Sequence, residues 1–258
     1  MKKNTKILSL ILALAVVLTV FAVAVFADAG ADTAEKIPGE YTKIPGSFDP
    51  TDEKWNGAYA GMTYGLWSSA RAFEAGLAPD YWYTGDLTAE NIGATDSNGT
   101  TFKADYTAAG YIPSYVYVFT DINTQTAQIP TGTTQKLVID LLGHTLTMKN
   151  GFRVGGNGNV PNASLTIRNG KALYNNGQIQ TRSDSSFILE NLDFTFTTAN
   201  SQGTFFYWSQ ADYLRFTDCK LKFERAVSFA LAGQSKTNGT ASSSIIFENT
   251  DIVYADGL

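Results

Sequence analysis

Cysteine and histidine are nearly absent from this 258-residue chain, which carries one of each, Cys219 and His144. A single thiol excludes internal disulfides, so stability in an oxidising environment would rest on packing and backbone ladders. One histidine and one distant cysteine cannot build a thiolate or histidine-rich zinc site. His144, in Leu142-Gly143-His144-Thr145, reads as a turn residue, and Cys219 as a small half-buried side chain with no basic neighbour to activate it. Basic excess is lacking too: 19 Lys and Arg stand against 24 Asp and Glu, a net charge of −5. Without a basic stripe or basic amphipathic helix, nucleic acid and anionic membrane surfaces are disfavoured as partners. Long apolar runs are missing except for Ile7 to Phe26, which follows Lys2, Lys3 and Lys6 and leads into Val25-Phe26-Ala27. This pattern predicts a signal peptide over residues 1–27, or, if uncleaved, an N-terminal anchor. Either way the remainder is expected to be secreted or displayed on the cell surface.

What remains is rich in aromatics and turn residues. Residues 28–60, with Lys36-Ile37-Pro38-Gly39 and Lys43-Ile44-Pro45-Gly46, read as an extended linker or arm. In 61–110 the spacing of Leu66, Ala70, Phe73 and Leu77 predicts an amphipathic helix over 61–78, ended by Pro79. Asp96-Ser97-Asn98-Gly99-Thr100 has the flavour of a calcium loop but lacks its later acidic ligand, so it reads as a turn.

From 111 to 258 the chain repeats. Segments starting at Leu165 (LTIRNGKALY), Phe187 (FILENLDFTF), Leu214 (LRFTDCKLKF) and Ile245 (IIFENTDIVY) align without gaps, and LVIDLLGHTLT from Leu137 is one residue longer. Counting the first residue as zero, position two reads Ile167, Leu189, Phe216 and Phe247, and position nine Tyr174, Phe196, Phe223 and Tyr254. Position four, which interrupts the alternation, reads Asn169, Asn191, Asp218 and Asn249. Period-two alternation signifies strand, and a small polar residue between two strands signifies a bend. A third apolar patch follows each copy, at Phe152-Arg153-Val154, Ile179, Phe205 to Trp208, and Val227 to Leu231. Three short strands per repeat with no room for a helix predict a parallel β-solenoid, with columns two and nine facing a common core. A leucine-rich horseshoe would place its Asn one position later, and hexapeptide solenoids repeat at a shorter spacing.

KLVIDLLGHTLT followed by I-x-N-x and F-x-N-x rungs resembles the right-handed parallel β-helix proteins of the pectin lyase-like superfamily. SYVYVFTDINTQTAQIPTGTTQ resembles the first coil of such exported bacterial proteins. The resemblance implies an all-β, right-handed single-stranded solenoid over 111–258 with an N-terminal amphipathic cap. It also implies lyase or hydrolase relatives, some of which hold calcium. Their site residues are not matched. No arginine stands in the lyase arrangement, and Asn249-Thr250-Asp251 matches a polygalacturonase element only as letters, since Asn249 belongs to the bend column. No cofactor is expected, calcium being implied only by the resemblance.

Position six alternates in charge: Lys171, Asp193, Lys220, Asp251. Two aspartates two rungs apart would lie ~9.6 Å from each other, near the separation an inverting glycosidase uses. With Lys220 between them, the column reads instead as a register device. The candidate carbohydrate-binding residues are Tyr207, Trp208 and Trp82, with Arg153, because exposed rings beside polar loops stack on sugar faces. The expected function is polysaccharide or cell-surface glycan binding, or an adhesion scaffold. The alternative is a lyase or glycoside hydrolase whose active site lies in coils beyond Leu258, since Tyr254-Ala255-Asp256-Gly257-Leu258 directly follows a rung and the solenoid is expected to continue.

Overall fold

A computed structural model describes residues 61–74, 79–88, 91–92, 113–124, 127–128, 136–149, 152–154, 163–176, 179–181, 185–199, 204–209, 213–232 and 244–256. The signal peptide expected over 1–27, the arm expected over 28–60 and the turn expected at Asp96–Thr100 lie outside these residues.

Three elements come first: β1 (Tyr64–Trp67), the helix α1 (Ala70–Glu74) and β2 (Tyr81–Tyr83). The repeats then run β3 (Tyr115–Val118), β4 (Ile122–Thr124) and β5 (Ala127–Gln128), followed by β6 (Lys136–Asp140), β7 (Thr145–Met148) and β8 (Phe152–Val154). In the next two, one strand runs through the bend: β9 (Ser164–Tyr174) with β10 (Ile179–Thr181), then β11 (Ser186–Phe196) with β12 (Thr204–Ser209). The strand divides again in β13 (Tyr213–Thr217), β14 (Lys220–Phe223) and β15 (Ser228–Ala232), and in β16 (Ser244–Glu248) and β17 (Asp251–Tyr254).

Like strands stack on like. A 12-stranded sheet has the order β16-β13-β11-β9-β6-β3-β1-β2, with β4, β7, β14 and β17 joined beyond the bends, and a 5-stranded sheet has the order β15-β12-β10-β8-β5. Parallel neighbours need a long return connection, and here the rest of each repeat supplies it. Among the described residues, the strands from Tyr115 onward therefore form a parallel β-solenoid.

Register follows the sequence columns. Ile139 pairs with Ile167, Ile167 with Leu189, Leu189 with Phe216, and Phe216 with Phe247. Across the bend, Tyr174, Phe196, Phe223 and Tyr254 stack with ring centroids 5.5, 6.2 and 5.5 Å apart. Alternation sends these residues inward, and burial of the apolar surface drives the stacking. Ile139, Ile167, Leu189, Phe216, Tyr174, Phe196 and Phe223 are all buried. The expectation that Phe247 and Tyr254 share this core is corrected: they keep the register but are 44 % and 55 % exposed, because no described strand covers the far side of β16 and β17. Cys219 is likewise buried rather than half-buried.

The helix expected over 61–78 is corrected as well. Residues 64–67 form β1, antiparallel to both β2 and β3, and helix is confined to Ala70–Glu74 among the described residues. Tyr64, Gly65 and Trp67 are poor helix formers, and pairing Leu66 with Val116 buries it as well as a helix would. Tyr64 and Leu66 join the inner core, whereas Trp67 forms an outer aromatic cluster with Phe73 and Tyr117. Phe73 stacks on Tyr117 at 3.9 Å, so α1 covers the outside of the first strands.

Candidate functional site

The bends carry the most ordered polar array. Asn169, Asn191, Asp218 and Asn249 adopt φ of 59, 46, 53 and 44°, and Leu142 in the longer first copy adopts 47°. Asn and Asp tolerate this left-handed region because their short side chains bond locally. The side chains also connect along the stack. Asn169 Nδ2 donates to Asp140 Oδ2 at 2.9 Å, Asn191 Nδ2 to Asn169 Oδ1 at 3.1 Å, and Asn249 Nδ2 to Asp218 Oδ1 at 3.1 Å.

The first link ends on a buried ion pair that sequence reasoning missed. Asp140 is fully buried, accepts Arg168 Nε at 2.9 Å, and takes the Leu142 amide at 3.1 Å. Burial raises the Asp140 pKa, opposed by Arg168 and by these hydrogen bonds. The Arg168 guanidinium lies 6.0 Å over the Tyr115 ring. The signal was available, since Asp140 and Arg168 share position three of the repeat, but they lie 28 residues apart in the chain.

The extra residue of the longer bend is absorbed next door. Leu141 and Gly143 donate their amides to the carbonyls of Arg168 and Asn169, and Lys171 N–H returns a bond to His144 O. A Cβ on Gly170 would lie 2.5 Å from that His144 oxygen and 2.6 Å from Leu141 Cβ. Later repeats, with shorter bends, place Leu192 and Cys219 at this position.

Lys171, Asp193, Lys220 and Asp251 are consecutive partners along the stack and all are exposed. No ion pair joins them among the described residues. His144 follows the bend with Nδ1 3.8 Å from Asp121; desolvation lowers its pKa against the opposing pull of that carboxylate. Burial pushes the Cys219 thiol up to about 11, so a nucleophilic thiolate is disfavoured. Among the described residues no three His, Cys, Asp or Glu side chains gather around a common point.

The candidate binding residues fall on two sheets. Trp82, 48 % exposed, lies on β2 opposite Gly65, beside Tyr83, which stacks on Tyr64 at 5.3 Å. Arg153, Tyr207 and Trp208 lie on the smaller sheet; their side chains are outside the described set, and register places the residues. Arg153 pairs with Gln180, which pairs with Tyr207. Val154 pairs with Thr181, which pairs with Trp208. Val154 and Thr181 are buried while Gln180 is partly exposed, and register sets the Arg153, Gln180 and Tyr207 positions in one column and the Val154, Thr181 and Trp208 positions in the adjacent one. Sequence reasoning had the residues but not the column, because loops of unequal length separate the third strands.

Fold and bends together define a class, a parallel β-solenoid with a polar bend ladder. Comparison with protein-family models, with curated proteins and with solved structures finds no match to the chain.

Proposed function

We propose that this chain is an exported β-helix of right-handed, pectin lyase-like type that binds polysaccharide at the cell surface or outside the cell. The observation that supports this reading is the in-register column of Arg153, Gln180 and Tyr207 on the smaller sheet. Successive parallel strands lie ~4.8 Å apart, so positions carrying a cation, an amide and a phenol follow one another in register at rung spacing. An extended glycan lying along the stack would meet one such group per rung. Arg153 favours a carboxylate-bearing sugar, Gln180 bonds hydroxyls, and Tyr207 supplies an aromatic face. Trp82 would contribute separately, from the larger sheet.

Binding without turnover is the expected behaviour. Lyase chemistry needs a calcium-holding carboxylate group beside a strong base. The outer carboxylates Asp193 and Asp251 are instead two rungs apart with the cation of Lys220 between them, which disfavours a shared metal ion. Affinity electrophoresis of the purified chain in polygalacturonate and in a neutral glucan tests the reading. Retardation is expected, weakened several-fold by Tyr207→Ala and by Arg153→Ala and unchanged by Asp193→Asn. No ultraviolet absorbance from unsaturated products should develop with or without calcium. Absence of retardation in both gels, or product formation lost in Asp193→Asn, would overturn it.

A further inference from the structure

The bend column is a directional chain, each amide donating to the oxygen of the preceding rung. It runs from Asn191 to Asn169 to Asp140 and, separately, from Asn249 to Asp218. The two runs do not meet. The Asp218 carboxylate has no proton to donate to Asn191 Oδ1, and among the described residues no side-chain hydrogen bond joins them. A second irregularity falls at the same interface on the other sheet. The β12–β15 pairing slips by one residue, from Thr204 opposite Ser228 to Phe206 opposite Phe229. The β8–β10–β12 pairings on that sheet keep step. The strand through the bend also changes here, continuous in β9 and β11 and interrupted at Asp218 and Cys219 in the next repeat.

The other irregular interface is treated differently. Where β6 and β7 meet β9 across the longer bend, the mismatch is filled by Gly170. It is also crossed by side-chain bonds from both Arg168 and Asn169 to buried Asp140. Among the described residues no side-chain link to Asp218 crosses from β11; what crosses is a long bond from the Thr198 amide to Glu224 at 3.4 Å and one from the Leu192 backbone to the Cys219 thiol.

From these coincident irregularities we infer that the pairing of β11 and β12 with β13, β14 and β15 is a built-in seam, at which strands β13 to β17 part from the preceding rungs as a unit. In a solenoid each repeat touches only its neighbours, so one weak interface defines a boundary between cooperative blocks. The seam concerns opening of the stack and stands independently of glycan binding.

Asp218→Asn closes the gap with a residue that the same column already uses three times. Its amide would donate to Asn191 Oδ1 while its own oxygen still accepts from Asn249. The variant should raise the thermal midpoint by about 2–4 °C and slow amide hydrogen exchange across β13 and β14 several-fold. Removing a negative charge near Glu190 and Glu248 could also raise the midpoint, so the substitution is repeated in an Asn191→Gly background. Glycine there keeps the left-handed backbone but offers no acceptor, and the gain should vanish. An equal gain in both backgrounds would overturn the seam. So would wild-type exchange that fades gradually from Tyr254 inward and ignores Asp218→Asn, which is the pattern of simple end fraying.

Discussion

A left-handed backbone costs an ordinary L-residue roughly 1–2 kcal/mol, and the bends at Leu142, Asn169, Asn191, Asp218 and Asn249 each carry one non-glycine residue in that region. Asn191 combines tolerance of φ 46° with the link to Asn169. Asn191→Ala should therefore lower the unfolding free energy by about 1–2 kcal/mol, measured by urea denaturation. Asn191→Gly, which loses the link but not the conformation, should lose less. Equal losses would assign the effect to the amide alone. His144 gives a second residue-scale expectation. Its pKa is lowered in the folded chain by burial, so below about 6.5 the unfolded chain takes up the proton first. The His144 contribution is thus fully present above pH 6.5 and is lost as pH falls through the lower folded value. Asp140 acts in the opposite sense, its raised pKa contributing stability at acid pH that is lost as pH rises above about 3.8 and through the folded value. Urea midpoints measured from neutral to mildly acid pH should fall less steeply in His144→Gln than in the wild type; identical profiles would remove the histidine from the account.

At the scale of elements, the bends explain what the sequence patterns did and did not make legible. Strands on either side of a bend announced themselves because alternation is a local property: Phe187, Leu189, Phe194 and Phe196 can be read inward from spacing alone. The first element could not be read this way, because Leu66, Ala70 and Phe73 fit a helical face while Tyr64, Leu66 and Trp67 also fit a short strand. Pairing with β3, more than 40 residues later in the chain, decided between them. The Asp140–Arg168 pair was hidden for a similar reason, its two halves lying in separate repeats. Gly170 was visible only as a small residue in its column, and its purpose emerges from the longer bend above it. Gly170→Ala should cost about 2–3 kcal/mol, since the new methyl meets a backbone carbonyl that other bonds hold in place. Deleting Gly143 should weaken that penalty by shortening the overlying bend, and chemical denaturation of the single and double variants would show whether it does.

For the solenoid as a whole, fold was legible and chemistry was not, because a repeating core writes its pattern many times over whereas a binding surface writes its own once. The inner columns could be checked against four or five copies. The column of Arg153, Gln180 and Tyr207 exists only when third strands after unequal loops are brought into step. That same faithful register has a consequence for how such a chain can change over generations. Every rung offers its successor the same template of inward and outward positions, so a whole repeat can be copied or lost without disturbing the alignment of the others. A gain or loss of a single residue at a bend has no such freedom and persists only with a matching change in the adjacent rung, as Gly170 lies beneath the lengthened bend between β6 and β7. Lineages of this architecture should therefore vary in length by entire rungs, and carry their smaller insertions in adjoining pairs.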